Sequence, residues 1–481
     1  MTTLHPIMLA GTGSDVGKSI IATALCRIFR QDGYRPAPFK AQNMALNSFV
    51  TPDGLEIGRA QAVQAEAAGI PCEADMNPLL LKPQSDHTSQ VVLLGKPIGN
   101  KHAYEYWRRE GKDELRKEVH KAFDRLKQRF NPIVMEGAGS ISELNLRDTD
   151  LVNMPMARYA DARVILVADI DRGGVFASAY GSIMLQAEED RARIKGIIVN
   201  KFRGDMRLFE EGRHMLEDIC KVPVLGVIPY MKDIHIDEED SVDLKTKSEE
   251  LRVKNGGGVR IAVVRLPYIS NFTDFNALEQ DPRISLTYTD KASDIAEADM
   301  IILPGTKSTL NDLRWLDQTG LAEAILCAHR EGHTIVGICG GYQMMGQTID
   351  DPEGIEGNMK SMPGLGLLPI QTTMAQEKTT RQVTFHFEGK ECQGYEIHQG
   401  VSNTDEVVMQ ANNCIGTYVH GILDNAPFVD FLLRPFVDKI GAQEESISYQ
   451  DFKEKQYDLL ADHVRKHLNM EQLYKIMQNN D

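Results

Sequence analysis

The chain has 481 residues, of which 42% are hydrophobic, a length and composition that suit about three globular domains with cores of their own. Fifty-three Lys and Arg residues stand against 69 Asp and Glu residues, and the net charge of −16 argues against nucleic acid and anionic membranes as partners. No apolar stretch approaches the roughly 20 residues of a membrane span. The seven cysteines are odd in number and form no C-x-x-C pair, so we expect a cytoplasmic protein with reduced thiols. The sequence does not indicate an oligomeric state.

Strand-like apolar runs alternate with helix-like stretches through the first half, which predicts an α/β domain with a parallel sheet. These runs are Pro6–Ala10, Ile133–Met135, Arg163–Ala168, Gly196–Val199 and Val224–Ile228. An acidic stretch and three glycines at 256–258 then precede a second α/β series. Its predicted strands are Val259–Val264, Asp299–Leu303, Thr334–Ile338, Val383–Phe387 and Ile415–Val419.

We therefore expect a first domain at 1–235, a linker at 236–258, a second domain at 259–435 and a charged helical tail at 436–481, because charge followed by glycine cannot nucleate a core. The tail carries leucines at helical spacing, which we expect to pack onto the second domain. They are Leu459, Leu460, Leu468 and Leu473.

A glycine-rich loop follows the first predicted strand and precedes an apolar helix. It reads Gly11-Thr12-Gly13-Ser14-Asp15-Val16-Gly17-Lys18-Ser19. The backbone N–H groups of such a loop face phosphate oxygens, the Lys18 ammonium adds positive charge, and the Ser19 hydroxyl can bind Mg²⁺. Position 12 is threonine where the usual pattern has glycine, with Gly11 and Gly13 on either side. We predict an ATP-binding loop in which Gly17 also takes part.

Three further segments end predicted strands of the first half. Glu136 follows Ile133–Met135, where a carboxylate could bind Mg²⁺ beside Ser19 or could cap the next turn. Asn200 and Lys201 follow another strand, and the asparagine amide can both donate to and accept from a purine edge. The run 169–174 could hold a metal or an anion, and turn chemistry explains it equally well.

Cys339 lies in Gly337-Ile338-Cys339-Gly340-Gly341, between an apolar strand and a helix-like segment. A thiol at such a turn projects from the sheet, and the glycines relieve steric clashes there. A helix N-terminus also favours the negatively charged thiolate, which is the nucleophilic form. Although a cysteine is often simply a small buried side chain, this context favours a nucleophile.

Several histidines could serve this thiol as a base, and His420 is favoured because it follows a strand that would end at the same sheet edge as Cys339. His398 lies in a polar segment that suits substrate contact or a structural role, and His329 and His333 flank a helix end. The Gly340 amide and the loop amide of Thr306 are candidates for an oxyanion hole, although Gly305-Thr306 could be a simple turn.

The second half resembles a class I glutamine amidotransferase domain of flavodoxin-like α/β fold. The first half is similar to the dethiobiotin-synthetase branch of P-loop proteins, and nearly the whole chain resembles the cobyrinate amidase family. Three segments resemble the branch of that family that converts cobyrinic acid a,c-diamide into cobyric acid. They are Lys40–Ser48, Glu56–Ala62 and Asp171–Gly174.

The resemblance implies that Cys339 is the nucleophile, that His420 is its base, and that ammonia from L-glutamine amidates corrinoid carboxylates activated by ATP as acyl phosphates. Amidotransferases of this class usually have a glutamate two residues after the histidine, where this chain has Ile422. Glu396 and Asp424 are both candidates to orient the imidazole.

Two alternatives stay open at the level of sequence. The chain could be another glutamine-dependent amidoligase of the same architecture, such as a cobyrinate a,c-diamide synthase or an amidase of a cell-wall intermediate. It could also be a regulatory P-loop ATPase with an inert amidotransferase-like domain, although the presence of both Cys339 and His420 argues against an inert domain.

Overall fold

The computed structural model describes residues 2–85, 88–102, 112–237, 258–440 and 448–478. The chain forms two compact units, and neither is continuous in sequence. The first comprises 1–45, 56–237 and 453–481, and the second comprises 46–55 and 238–452. The predicted linker at 236–258 lies almost wholly outside the described residues, so its boundaries stay a prediction.

A six-stranded parallel sheet forms the centre of the first unit, as the alternation of strand-like and helix-like segments predicts. Its order is Val224–Pro229, Ile194–Phe202, Arg163–Asp169, Ile7–Gly11, Ile133–Glu136 and Ala37–Phe39. The last strand is not among those expected from the sequence. Because all strands are parallel, their carboxyl ends share one edge, where ligands of such sheets bind.

Helices and a smaller sheet complete the first unit. The helices are Lys18–Gln31, Arg59–Ala68, Lys112–Lys127, Met154–Ala160, Val175–Met184, Glu188–Arg193, Glu210–Cys220, Tyr449–His467 (from Lys453 onward) and Met470–Gln478. Short 3-10 turns occur at Ala74–Met76, Leu144–Thr149 and Met206–Phe209. The smaller sheet has the order Gln42–Met44, Leu79–Ser85, Thr88–Leu93 and Lys96–His102.

The C-terminal helices pack into the core of the first unit. Leu460, Leu468 and Leu473 are buried there together with residues of the helix Lys18–Gln31, and Asn469 N–H donates to the carbonyl of Leu225. The expectation that the tail packs onto the second domain is therefore wrong. Helical spacing of leucines indicates an apolar face but carries no information on which unit covers it.

The second unit has its own six-stranded sheet, with five parallel strands and an antiparallel edge strand. The order is Ile284–Thr289, Val259–Val264, Met300–Leu303, Thr334–Ile338, Cys414–Thr417 and Val408–Ala411. The predicted strand Val383–Phe387 instead forms the end of the long strand Gln371–Phe387 in a separate sheet. That sheet has the order Ser361–Pro363, Thr348–Asp350, Gln371–Phe387 and Lys390–Ser402.

The helices of the second unit are Asn276–Gln280, Ala292–Glu297, Thr309–Thr319, Leu321–Arg330, Gly340–Met344, Ala426–Leu433 and Val437–Ile440. Single 3-10 turns lie at Phe272–Phe275, Ile422–Asp424 and Arg434–Phe436, and a short strand, Ser48–Val50, also belongs to this unit.

Within the described ranges, no helix combines the length and the apolar character that crossing a bilayer requires. The cytoplasmic location stays a prediction.

The packing of the C-terminal helices predicts unequal effects at two adjacent leucines. Leu460 is fully buried, whereas 49% of Leu459 is exposed. We expect Leu460→Ala to destabilise the chain by about 2–5 kcal/mol through lost burial and the cavity left behind, and Leu459→Ala to have an effect within about 0.5 kcal/mol. Urea unfolding of both full-length variants measures this, and equal midpoints would contradict the packing.

Candidate active site

The glycine-rich loop joins the strand Ile7–Gly11 to the helix Lys18–Gln31. Gly17 has a φ of 93° and lies against the side chain of Asn200, so a residue with a β-carbon would be both strained and clashing there. The Lys18 ammonium donates to the carbonyls of Gly13, at 2.9 Å, and Gly139, at 3.0 Å. The loop therefore has the strand, turn and helix of a phosphate-binding loop, with its lysine held at the centre.

Glu136 is buried beside this loop and accepts three hydrogen bonds. Ser19 Oγ donates to its Oε1 at 2.8 Å, Lys40 Nζ to the same oxygen at 2.9 Å, and Gln64 Nε2 to Oε2 at 2.7 Å. Burial opposes the charged carboxylate, but Lys40 and the other donors outweigh it and hold the pKa of Glu136 below its ordinary value. A serine hydroxyl next to an ionised carboxylate is a hard-oxygen pair that fits Mg²⁺.

Asn200 and Lys201 also lie against the glycine-rich loop. Asn200 Nδ2 donates to the carbonyl of Val16 at 2.9 Å, and Lys201 Nζ donates to the carbonyl of Asp15. The Asn200 Oδ1 is buried without a hydrogen-bond partner among the described residues, which is rare for an amide oxygen unless a ligand or water completes it. Asn200 can thus accept from a ligand through Oδ1, while Val16 engages one of its two amide N–H donors.

Asp169, the first residue of the run 169–174, accepts from the N–H groups of Asp171, at 2.7 Å, and Arg172. Its other oxygen lies 3.1 Å from Lys201 Nζ. These contacts are those of a turn at a strand end.

Cys339 lies at a strained turn between the strand Thr334–Ile338 and the helix Gly340–Met344, as the sequence predicts. Its φ of 52° and ψ of −110° are sparsely populated for any residue with a side chain. Its N–H donates to the carbonyl of Thr417 at 2.8 Å, which anchors the turn to the neighbouring strand. Strain of this kind persists only where the surrounding structure over-determines it, and it is concentrated at functional sites.

His420 lies close enough to the Cys339 sulfur to interact with it electrostatically, and its Nδ1 is hydrogen-bonded to a carboxylate. Its Nδ1 lies 2.7 Å from Oδ2 of Asp274, whose Oδ1 accepts from the Gly421 N–H at 2.9 Å. Burial alone would disfavour the imidazolium, but Asp274 and the sulfur stabilise it and raise the pKa of His420 to about 10. At neutral pH the imidazole therefore carries a proton that it can donate.

The acid beside His420 is thus Asp274, and neither of the two candidates from the sequence occupies this position. Glu396 Oε2 lies 2.7 Å from Nε of Arg381. The Asp424 N–H donates to the carbonyl of Gly421 in a tight turn. The sequence did not identify Asp274 as this acid, because it precedes the histidine by 146 residues. No local signal marks it, because the segment 269–275 has more polar than apolar residues.

The two amides proposed for an oxyanion hole lie close together. A β-carbon placed on Gly340 would be 3.1 Å from the Thr306 nitrogen, and one placed on Gly305 would be 3.0 Å from Cε1 of His420. Gly340 is the first residue of the helix Gly340–Met344, and N–H groups in a first turn have no acceptor within their own helix. The position of the two amides beside Cys339 fits the stabilisation of a developing oxyanion.

A buried aspartate holds the Thr306 loop in place. Thr306 Oγ1 donates to Asp312 and to the carbonyl of Tyr268, the latter at 3.0 Å. Burial raises the pKa of Asp312 to about 7, although its hydrogen bonds from Thr306 and Tyr268 act in the opposite direction.

The remaining histidines occupy other positions. His398 stacks on Tyr418 with ring centroids 3.8 Å apart and bonds through Nδ1 to the carbonyl of Gly400 at 2.7 Å, which leaves both substrate contact and a structural role open. His329 lies in the last turn of the helix Leu321–Arg330, where a favourable dipole interaction is expected.

Family comparisons agree with this division of the chain. Residues 7–243 match the family described as the CobQ/CobB/MinD/ParA nucleotide binding domain. Residues 260–428 match the family described as the CobB/CobQ-like glutamine amidotransferase domain. The chain is therefore a nucleotide-binding domain joined to a glutamine amidotransferase domain.

Curated relatives extend this similarity over nearly the whole chain. Proteins named cobyric acid synthase are 64% identical in Phocaeicola vulgatus, over 99% of both chains, and 46% identical in Salmonella typhimurium, over 98% of both chains. The chain belongs to the cobyric acid synthase family and is a glutamine-dependent amidoligase of cobalamin biosynthesis.

The contact between Asp274 and His420 predicts a specific pH effect. Asp274→Asn removes the charge that raises the pKa of His420, while burial continues to lower it, so the imidazole loses its proton at lower pH than in the wild type. We expect the rate of glutamine hydrolysis to fall by about 10²- to 10⁴-fold. The alkaline limb of its pH–rate profile should move to lower pH. Initial rates of glutamate release across pH measure both effects.

The matched control is Asp424→Asn, which changes an acid near His420 in sequence but not the one that contacts the ring. We expect its rate to stay close to that of the wild type. A loss confined to Asp424→Asn would contradict the assignment of Asp274.

Proposed function

We propose that this chain amidates peripheral carboxylates of (adenosyl)cobyrinic acid a,c-diamide to give cobyric acid, with ATP as the activating substrate and L-glutamine as the ammonia source. The observation that carries the proposal is the buried arrangement of Cys339, His420 and Asp274, in a chain similar over its length to relatives named cobyric acid synthase. The phosphate-binding loop around Lys18 supports ATP as the nucleotide.

Ammonia release begins when the Cys339 thiolate attacks the side-chain amide carbon of glutamine. The N–H groups of Gly340 and Thr306 stabilise the oxyanion that forms on the amide oxygen. The His420 imidazolium protonates the departing ammonia, and a thioester remains on the sulfur. His420 then takes a proton from water as the water attacks the thioester, which frees glutamate and restores the thiolate and the imidazolium.

Carboxylate activation takes place at the phosphate-binding loop, because a free carboxylate is a poor electrophile. Lys18 and the N–H groups of the loop stabilise charge on the transferring phosphoryl group while the corrin carboxylate attacks the γ-phosphorus, giving an acyl phosphate and ADP. Ammonia then displaces phosphate and forms the amide. Ser19 and Glu136 are the residues that would hold Mg²⁺, which offsets phosphate charge when bound. The partnerless Asn200 Oδ1 and Lys201 are expected to face the nucleotide.

Two substitutions separate the half-reactions. We expect Cys339→Ala to abolish amidation with glutamine but to keep amidation with added ammonium, because the thiol serves only to release ammonia. Lys18→Ala should lower both by about 10²-fold or more, since phosphoryl transfer depends on positioned charge. Amide formation with each nitrogen source measures these effects.

Cys327→Ala is the matched control for the nucleophile, since Cys327 lies on the helix Leu321–Arg330, away from the sheet edge that holds Cys339. It should leave both reactions unchanged. Glutamine hydrolysis that survives in Cys339→Ala would contradict the role of this thiol.

The substrate is tested by supplying the purified chain with ATP, glutamine and cobyrinic acid a,c-diamide, and by following amidated corrins and ADP. We expect stepwise amidation, with ADP formed in proportion to amide. Amidation of cobyrinic acid but not of its a,c-diamide would assign the chain to the sister reaction. ATP turnover that does not respond to any corrin would overturn the substrate assignment.

A further inference from the structure

A short segment from the first half of the sequence is built into the second unit. Residues 46–55 lie between parts of the chain that belong to the nucleotide-binding unit, but their contacts assign them to the unit that carries Cys339. The segment contains the strand Ser48–Val50, and Asn47, Ser48 and Val50 are almost completely buried. A buried polar insertion of this kind needs specific hydrogen-bond partners.

The first set of partners is the loop that carries Asp274. The Ser48 N–H donates to Oδ1 of Asn271 at 3.0 Å, and the Phe272 N–H donates to Oδ1 of Asn47 at 3.3 Å. Asn271 has a φ of 52°, a left-handed conformation that is costly for most residues and that asparagine tolerates. The segment therefore holds the backbone on the approach to Asp274 through two hydrogen bonds.

The second partner is Tyr395, which contacts the catalytic histidine directly. The Tyr395 hydroxyl donates to the carbonyl of Ser48 at 3.1 Å. Its ring stacks on His420 with centroids 5.3 Å apart, and the two backbones exchange hydrogen bonds of 3.0 and 2.8 Å. Phe49 packs edge-on against the same ring at 4.8 Å. The segment therefore contacts both Tyr395, which supports His420, and the loop that carries Asp274.

We propose that the segment 46–55 positions the glutaminase dyad of Cys339 and His420, with Asn47 and Tyr395 as positioning residues. The inference rests on the proposed roles of Cys339 and His420. A weakened segment lets Asp274 and the His420 ring leave their aligned positions, which slows thioester formation without changing the glutamine-binding surface.

The test compares full-length Asn47→Ala and Tyr395→Phe with the wild type. Asn47→Ala removes the acceptor of the Phe272 N–H. Tyr395→Phe removes the donor to the Ser48 carbonyl and keeps the ring on His420. We expect kcat for glutamine hydrolysis to fall by up to about tenfold in each variant, as the loss of one hydrogen bond suggests, with KM unchanged. Ammonium-dependent amidation should stay within about twofold of the wild type.

Two controls distinguish positioning from general damage. Asn47→Asp keeps the oxygen that accepts from Phe272 and should restore most of the rate lost in Asn47→Ala. Asp53→Asn alters an exposed residue of the same segment whose carboxylate bonds to Thr51 and should behave as the wild type.

Wild-type rates of glutamine hydrolysis in both Asn47→Ala and Tyr395→Phe would overturn the inference. An equal fall of the ammonium-dependent reaction would also overturn it, since the segment would then only maintain the fold. These results differ from a failure of the proposed function, in which Cys339→Ala itself keeps hydrolysing glutamine.

Discussion

The ion pair between Asp274 and His420 is the interaction on which the amidotransferase unit depends. Both side chains are almost wholly withdrawn from water, and a buried carboxylate is costly unless it is paired and hydrogen-bonded. The Gly421 N–H and the imidazolium supply those partners. Because the pair tolerates little displacement, the elements around it must hold it rigidly. The strained turn at Cys339, the ring of Tyr395 and the buried Asn47 all lie where they restrict its movement.

Features whose residues lie close together in the chain could be predicted from the sequence. The strand and helix around the glycine-rich loop, the turn at Cys339 and five of the six strands of the first sheet depend on local patterns of glycine and apolar residues, and the structure has them where the sequence predicts them. Asp274 could not be found in this way, because its partner lies far along the chain and no local pattern marks it. The same reason explains the tail, where the spacing of Leu460 and Leu473 defines a face but not its partner.

The nucleotide-binding unit contains a second buried acid with a different balance of partners. Glu136 is matched by the charge of Lys40 and by neutral donors from Ser19 and Gln64, so it stays ionised although it is buried. A site that is already charged and hydrogen-bonded needs little reorganisation when phosphate and metal enter, and this preorganisation is a general source of catalytic rate. Lys40 belongs to a segment that resembles the cobyrinate amidases, but its partner was not evident from sequence.

The interleaving of the two units has a consequence for the order in which the chain can fold during synthesis. Domains usually fold from the N-terminus as they leave the ribosome. Here the core of the nucleotide-binding unit includes Leu460, Leu468 and Leu473, which are made after the whole amidotransferase unit. The amidotransferase unit needs residues only up to 452 and already has the segment 46–55. The later unit in sequence can therefore complete its core first, while the earlier one still waits for these leucines.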